Sequence, residues 1–268
     1  MTSIIARSAE SVHWYRAEDG APQYTVPSKK DGSERPTTLG DARKMNLVPS
    51  VTTILKLSAK PGLELWKNEQ LLLAALTLPR APGEPEKDFI KRIIADAKET
   101  GKAAAEAGTR IHESIERYFN GEQNVEHLKI AQEFNIVLNF HFQTSPTQKW
   151  IPETSFSHSY GFGGKIDLYT KPNQDAPNGI VIDIKTKEFT ADDKVVGYDE
   201  NLLQLAAYRH GFSLPNARCA NVFVSRTQPG LVKVFEWSQE DLARGWKMFQ
   251  CLLHFWQIKN KFGDQHAE

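Results

Sequence analysis

Cysteine is scarce in this sequence, and its scarcity excludes several kinds of metal centre. The 268 residues include two cysteines, Cys219 and Cys251, whereas an iron–sulfur cluster or an all-cysteine zinc site requires four thiolates. Cys219 falls in a predicted strand and Cys251 in an apolar helical segment. We therefore expect both to be reduced residues of the core, as is usual in a reducing compartment.

Long apolar runs are also absent. No window of the sequence approaches the roughly 18 apolar residues of a transmembrane helix. Residues 1–7 lack the basic and then apolar pattern of a signal peptide. The sequence therefore predicts a cytoplasmic protein that does not associate with a membrane.

The chain has no excess charge of either sign. Lys and Arg together number 33, as do Asp and Glu, so the formal net charge is zero. Overall charge therefore gives no support to a nucleic-acid partner, and any basic groove must be local and offset by acidic surface elsewhere. The hydrophobic content of 40% is that of an ordinary globular protein with a sizeable core.

The hydrophobic pattern predicts an α/β fold with two regions. Residues 1–100 are predicted to form an N-terminal hairpin and a mainly helical region, and residues 101–268 a core in which helices flank a mixed central β-sheet. The predicted strands span 149–157, 162–170, 179–186, 218–225 and 231–237. The predicted helices span 61–76, 86–119, 126–142, 200–212 and 239–262, the second of them interrupted near Gly101 or Gly108.

Shorter elements are predicted near the N-terminus. Residues 13–15 and 23–26 are predicted to be the two strands of a hairpin, and residues 27–38 a polar loop. Ser50 is predicted to cap a short helix that follows it.

The strongest signal in the sequence combines a buried-strand pattern with two charges. The β-branched run that begins at Ile180 is interrupted by Asp183 and Lys185. A charge inside a buried strand is costly unless it is paired or binds a metal. Because side chains alternate across a strand, these two share one face, on the order of 6–7 Å apart.

A second acid precedes this strand, in the segment Gly163-Gly164-Lys165-Ile166-Asp167. Its glycines permit a tight turn or a close backbone approach. Two acids and a lysine brought together on neighbouring strands are the groups needed to bind a divalent cation and activate a water. The combination suggests metal-dependent phosphodiester hydrolysis.

The same residues also allow simpler interpretations. By themselves, Asp183 and Lys185 fit a strand end that emerges into water with an internal ion pair just as well. Asp167 alone fits a surface acid after a hairpin turn, an interpretation that weakens because Asp183 follows on the expected adjacent strand. A similar tripeptide, 192–194, lies in a polar loop, and we interpret it as solvated surface.

Four further candidates lie outside these two strands. His112 is on a predicted helix, where a single histidine is usually at the surface or satisfied in the core, but imidazole can join carboxylates as a ligand for manganese. Gln204 and Tyr208 are one helical turn apart and either face the site or lie at the margin of an ordinary amphipathic helix. Glu153, taken alone, is expected at the surface.

Together these segments resemble the PD-(D/E)XK nuclease superfamily, and within it the RecB-like exonuclease branch. The matching elements, in order, are Gly108-Thr109 through His112, Glu153, Gly164-x-x-Asp167, Asp183-x-Lys185 and Gln204-x-x-x-Tyr208. Residues 49–55 and Trp66 are also similar to the entry region of the mitochondrial genome maintenance exonuclease and its phage and bacterial relatives. The resemblance therefore implies a prokaryotic or phage-encoded protein with a restriction-endonuclease-like core.

The resemblance also implies a role for each matching residue. The implied ligands of one or two Mg²⁺ or Mn²⁺ ions are His112, Asp167, Asp183 and the backbone carbonyl of Ile184. The implied catalytic residues are Asp167, Asp183, Lys185, Gln204, Tyr208 and Glu153. Lys185 would orient or deprotonate the attacking water, and Gln204 and Tyr208 would support the lysine and the DNA backbone.

The implied activity is that of a divalent-metal-dependent DNA exonuclease that favours single-stranded ends and has little sequence specificity. Basic residues of the N-terminal helices would either line a channel for the strand or simply solvate the helices: Lys56, Lys60, Lys67, Lys91, Arg92, Lys98, Lys102 and Arg110. The implied nucleic-acid-binding residues are Ser50, Thr52, Trp66, Arg110 and Tyr208.

Two alternatives stay open at this point. One is a structure-specific or sequence-specific endonuclease of the same superfamily, and the other is a catalytically inactive nucleic-acid-binding module. The chain lacks the four cysteines of the iron–sulfur subgroup, and it lacks the Gly-x-x-x-x-Gly-Lys-Ser/Thr motif of a helicase. We therefore expect no iron–sulfur cluster, and a nuclease that either stands alone or acts with a separate single-strand-annealing or helicase protein.

Overall fold

A computed structural model of the chain describes residues 13–263, so the predicted N-terminal region and the predicted core each extend slightly beyond the described part. The central sheet has five strands, in the order β5-β6-β7-β8-β9. They are β5 (Ile151–His158), β6 (Phe162–Thr170), β7 (Ile180–Lys187), β8 (Arg218–Ser225) and β9 (Val232–Trp237). Only β7 and β8 pair in parallel, and the other neighbours are antiparallel. The predicted α/β fold with a mixed sheet is confirmed.

Helices cover both faces of the sheet. The parallel connection from β7 to β8 requires a crossover, which α6 (Asp199–Gly211) provides, and α6 packs with α7 (Gln239–Asn260) on one face. On the other face, α4 (Glu86–Phe119) and α5 (Leu128–Phe142) bury their apolar stripes against β7 and β8. The strands are therefore buried on both sides, which explains the nearly continuous apolar runs of β7 and β8.

The short N-terminal strands exist, and the predicted hairpin is present in part, because the Arg16 amide donates to the Ala21 carbonyl and the Gln23 amide donates to the Trp14 carbonyl. On its other edge, β1 (Trp14–Arg16) pairs with β4 (Leu47–Pro49), whereas the second predicted strand, β2 (Thr25–Pro27), pairs with β3 (Glu34–Pro36). Both members of the β1–β4 pair are apolar and buried, whereas β2 and β3 are largely exposed. β1 therefore has a local partner on one edge and a distant, buried partner on the other.

Two further elements depart from the predictions for residues 27–44. The predicted loop contains β3, and it is followed by α1 (Leu39–Lys44), which was not expected. Thr38 and Asp41 form a capping box at the start of α1, a signal that the sequence contains. The predicted cap at Ser50 is present, because the Thr53 amide donates to the Ser50 hydroxyl at 3.0 Å at the start of α2 (Val51–Leu55).

Helix α3 (Pro61–Thr77) packs on α4, which is continuous, so the predicted interruption near Gly101 or Gly108 is wrong. Both glycines instead lie where other side chains approach the helix. The Trp66 ring lies against Gly101, and Thr186 lies against Gly108. The remaining helices and strands predicted beyond residue 60 agree with the structure to within two residues at each end.

The two cysteines differ in their surroundings. Cys219 is fully buried in β8, as expected, but Cys251 is exposed on α7, so the prediction that it belongs to the core is wrong. Helix α7 buries other positions, including Phe249 and Leu253, and Cys251 points away from them. Within residues 13–263, no helix is long and apolar enough to cross a membrane.

Candidate active site

The site begins where β6 and β7 separate. Their backbone ladder runs from Thr170–Ile180 to Leu168–Ile182 and stops there. At the next position the Asp167 carboxylate takes the place of a backbone partner, because its Oδ2 accepts a hydrogen bond from the Ile184 amide at 2.7 Å. A buried amide needs an acceptor, so this bond fixes the Asp167 carboxylate at the opening of the sheet.

His112 reaches this opening from α4. Its Nε2 lies 3.2 Å from Asp167 Oδ2, yet the two atoms are not aligned as a hydrogen bond, and this buried nitrogen has no other hydrogen-bond partner within residues 13–263. Burial lowers the pKa of His112, but the negative charges of Asp167 and Asp183 outweigh burial, so the pKa is raised. The negative charges therefore favour a cation here, either a proton on the imidazole or a metal ion bound to the neutral imidazole.

The approach of α4 to the sheet depends on Gly108, one turn before His112. A Cβ atom at Gly108 would lie 2.4 Å from Thr186 Oγ1 on β7, closer than real contacts allow. Arg226 also holds this part of the helix, because its Nη1 donates to the Ala104 carbonyl at 2.8 Å. The glycine of the sequence motif therefore has a packing role, which brings His112 within reach of Asp167.

We expect Gly108→Ala to lower the free energy of unfolding by about 1–3 kcal/mol, because the added methyl group overpacks the contact with Thr186. Alanine is the better helix former by roughly 1 kcal/mol, so a loss of stability identifies the steric contact. Gly101→Ala is the matched control, since a Cβ there would lie 3.6 Å from the Trp66 ring, an ordinary contact. Denaturant unfolding measures both variants.

The double variant Gly108→Ala/Thr186→Ala should recover most of this loss, because it removes the hydroxyl that the methyl group would meet. Equal stability of Gly108→Ala and Gly101→Ala would contradict the packing role of Gly108.

Asp183 and Lys185 lie on one face of β7, as the alternation of side chains predicts. Lys185 Nζ donates to Asp183 Oδ1 at 2.9 Å and lies 2.8 Å from Oδ2. The Asp183 side chain is 1% exposed, whereas that of Lys185 is 32% exposed. Asp183 is therefore a buried charge paired with a cation that still reaches the surface.

A chain of hydrogen bonds extends from Lys185 into α6. Lys185 Nζ donates to Gln204 Oε1 at 3.2 Å, and Gln204 Nε2 donates to the Tyr208 hydroxyl at 2.9 Å. Burial raises the pKa of Tyr208 well above its usual value, with Asp167 and Asp183 adding to the shift. The phenol therefore stays neutral, and the structure brings Gln204 and Tyr208 together with Lys185.

The charges of the site influence one another. Burial raises the pKa of Asp183, and the nearby Asp167 adds to it against the attraction of Lys185. Burial acts on Asp167 in the same direction, but His112, Lys185 and the Ile184 amide outweigh it and lower the pKa of Asp167. Burial lowers the pKa of Lys185, and the two carboxylates outweigh it, so the pKa is raised. Lys185 is therefore an ammonium at neutral pH.

Glu153 lies near this group but is not joined to it. The register of β5 and β6 sets Glu153 opposite Asp167, yet its carboxylate forms an ion pair with Lys165. The side chain is 17% exposed, so the expectation of a surface position is wrong. Its backbone is left-handed, with φ of 48°, in the middle of β5. Such a conformation is unfavourable for a residue with a Cβ and is found at sites that the surrounding structure constrains.

The residues implied to bind nucleic acid, other than Tyr208, lie on α2, α3 and α4 or at the start of α2. The Ser50 hydroxyl is buried in the α2 cap, and Thr52 beside it is exposed. Trp66 packs between α3 and α4. Arg110 is exposed on α4, where its Nε lies 3.7 Å from Glu126.

The surface of the N-terminal helices is less basic than the sequence suggests. Four of the basic residues implied to line a channel lie in ion pairs with acids: Lys67, Lys91, Arg92 and Arg110. The outward face of α3 also carries leucines, among them Leu65, Leu72 and Leu76, which are 61%, 63% and 84% exposed. Any path for a nucleic acid along α3 would therefore cross apolar as well as polar surface.

Sequence reasoning missed two residues, one that contacts Asp183 directly and one that acts through the first. Asn221 Nδ2 donates to Asp183 Oδ2 at 2.7 Å, and Trp237 Nε1 donates to Asn221 Oδ1 at 2.7 Å. Asn221 interrupts the apolar strand 219–224 in the same way that Asp183 interrupts β7. A polar residue within a buried run was therefore a signal for Asn221 as well.

The donors of the site partly fit a divalent cation. An imidazole nitrogen and a carboxylate oxygen at 3.2 Å, the nitrogen without a hydrogen bond, are ligand types that suit Mn²⁺. However, no three His, Cys, Asp or Glu side chains of the described residues form a cluster that could hold a metal ion as they stand. The third implied ligand, Asp183, has its oxygens engaged by Lys185 and Asn221.

Comparison with known proteins leaves the family open. No family model and no curated protein matches this chain. Among solved structures, SSO0001 is similar at 15% identity with a TM-score of 0.28, over 71% of this chain and 86% of the other. A protein from Eubacterium rectale described as "Putative exonuclease" is similar at 15% identity with a TM-score of 0.37, over 60% of this chain and 69% of the other. At these values neither likeness tells what this protein does.

Proposed function

We propose that this protein is a divalent-metal-dependent DNA exonuclease that hydrolyses phosphodiester bonds from DNA ends. The observation that carries the proposal is the joining of Asp183 and Lys185 on β7, with Gln204 and Tyr208 hydrogen-bonded behind the lysine. Asp167 and His112 lie together at the same opening of the sheet. Two acids, a lysine and an imidazole in one place are the groups that metal-assisted phosphodiester hydrolysis requires.

His112 and Asp167 are the residues placed to hold Mg²⁺ or Mn²⁺, with Asp183 and the carbonyl of Ile184 as further ligands. When bound, such an ion supplies a nucleophile at neutral pH and offsets the negative charge of the phosphate. Asp183 Oδ1 is bonded only to the Lys185 ammonium among the described residues. A flexible lysine that turns to the substrate would free this oxygen without disturbing the bond from Asn221 to Oδ2.

Lys185 acts in this proposal as a donor to the phosphate, since its raised pKa keeps it protonated. Its partly exposed ammonium has three donors, of which Asp183 and Gln204 use two. Gln204 and Tyr208 keep the lysine aimed at the opening of the sheet. One donor of the ammonium is therefore left for an incoming phosphate while Gln204 holds the lysine.

Action at free ends, preference for a single strand and low sequence specificity are the finer parts of the proposal, and they rest on the sequence resemblance. The N-terminal helices would arch over the site and thread the strand. A separate single-strand-annealing or helicase protein would supply such ends.

A degradation assay tests the proposal with purified protein, Mg²⁺ or Mn²⁺, and DNA labelled at either end. We expect metal-dependent loss of linear single strands from one end, with covalently closed circles left intact, because a closed circle cannot be threaded. Cleavage of circles at the same rate would indicate an endonuclease and contradict threading. Tight DNA binding without cleavage of any substrate would contradict the activity and indicate a binding module.

A further inference from the structure

The amide of Asn221 lies at the centre of the sheet, beside the candidate site. Asn221 is fully buried in β8, and the parallel register places it directly opposite Asp183 on β7. A buried amide is costly unless its donors and acceptor are paired. Asn221 meets this requirement by bonding Asp183 on one side and Trp237 on the other.

Trp237 determines which way the Asn221 amide points. An indole N–H can only donate, so the group that faces Trp237 Nε1 at 2.7 Å must be the carbonyl oxygen of Asn221. The NH₂ group is then directed at Asp183 Oδ2, where it donates at 2.7 Å. The orientation of the amide, which is otherwise ambiguous, therefore follows from the chemistry of its neighbour.

The Trp237 ring is itself firmly held. It is 9% exposed and lies against Gly197, where a Cβ atom would come within 2.2 Å of the ring. Phe235 packs edge-on against it at 4.8 Å between ring centroids. A ring held by backbone and by another ring offers a fixed donor, so the Asn221 amide is fixed in turn.

Asp183 therefore has two partners of different character. Lys185 is a long, partly exposed cation that can turn away, whereas Asn221 is a short, fully buried donor in a rigid strand. We propose that Asn221, oriented by Trp237, is a positioning residue that holds the Asp183 carboxylate in its working orientation while Lys185 engages the substrate. This inference rests on the proposed function, because it assigns a task to Asp183 in metal binding and hydrolysis.

The chain offers a matched control for this pair. Trp150 Nε1 donates to Asn139 Oδ1 at 3.1 Å, again between a buried indole and a buried amide, and neither residue contacts the candidate site. Trp237→Phe and Trp150→Phe each remove one indole–amide hydrogen bond and keep an aromatic ring. We expect both to lower the melting temperature, and only Trp237→Phe to affect the site.

The readouts are Mn²⁺ affinity by titration calorimetry and steady-state kinetics on linear single-stranded DNA. Loss of a group that holds a metal-ligating carboxylate typically costs about 10–100-fold in metal affinity or activity. For Trp237→Phe we expect Mn²⁺ affinity and kcat near the lower end of that range, about 10-fold down, with KM for DNA unchanged. Should Trp237→Phe fail to fold, Asn221→Ala takes its place, with Asn139→Ala as its control.

The outcomes separate this inference from the proposed function. If the wild-type protein cleaves DNA and the Trp237 and Trp150 variants have equal kcat and Mn²⁺ affinity, the inference is overturned and the function stands. If the wild-type protein cleaves nothing but binds Mn²⁺, and Trp237→Phe alone weakens that binding, the function is overturned and the positioning role is supported. If the wild-type protein neither cleaves DNA nor binds Mn²⁺, both are overturned.

Discussion

Asp183→Asn is expected to lower kcat by at least about 1,000-fold, or roughly 4 kcal/mol of transition-state stabilisation, and to abolish detectable Mn²⁺ binding. The substitution keeps the shape of the side chain and removes its charge, so the site loses a metal-ligating oxygen and the anion that balances Lys185. Burial already favours the neutral form of Asp183, since it raises the pKa. However, both Asp183 oxygens accept hydrogen bonds, so the new NH₂ group would face a donor, and we expect the melting temperature of Asp183→Asn to fall by several degrees.

The control for this prediction is Asp192→Asn, in the exposed loop with the similar tripeptide. It should leave activity and Mn²⁺ binding unchanged. Cleavage by Asp183→Asn at a wild-type rate would refute the assignment of the site. If this variant lost most of its stability, the result would indicate that Asp183 acts mainly in holding the fold together.

Lys185→Ala is expected to lower kcat by about 100–1,000-fold, the range measured when one donor to a developing negative charge is removed. Mn²⁺ affinity should be unchanged or tighter, because the substitution removes a positive charge beside the metal-binding groups. The two substitutions on β7 would then have different effects on Mn²⁺ affinity, since only the aspartate is needed to bind the ion. Calorimetry with Mn²⁺ and single-turnover cleavage measure the two effects separately.

Lys194→Ala is the matched control for Lys185→Ala, since Lys194 is exposed in the loop that follows β7. Full activity in Lys185→Ala would be incompatible with the proposed role of the lysine. Equal losses of metal affinity and of kcat would instead assign Lys185 to metal binding or to the stability of the site.

The parts of the fold that follow from local periodicity could be predicted from the sequence. The alternation in β5 to β9 and the 3.6-residue stripes of the long helices depend on each segment and on the face it buries. The pairing of β1 with β4 does not, because it joins residues more than 30 positions apart and is added to the local hairpin. Cys251 shows the same limit in a helix, since an apolar sequence around a residue does not say which way that residue points.

The candidate site likewise contains residues that could be predicted from local patterns and residues that could not. Asp183 and Lys185 could be assigned to one face of β7 from alternation alone, and the structure joins them directly. Asn221 could not be assigned to them, because it is 38 residues further along the chain and its position depends on the parallel register of β7 and β8. The hydrophobic pattern of β8 fixes which face carries Asn221, but it does not say which residue of β7 lies opposite.

The unbroken course of α4 also has a mechanical consequence. The helix is a single rod that touches β7 at Gly108, with His112 roughly 6 Å beyond this point and the start of the helix roughly 33 Å before it. If the rod tilts about that contact, a movement of about 5 Å at Glu86 becomes about 1 Å at His112. A shift of 1 Å in a catalytic group can change a rate about 100-fold. The far end of α4 therefore lies about five times further from the contact at Gly108 than His112 does, so any tilt of the helix about that contact would move the imidazole about five times less than the far end.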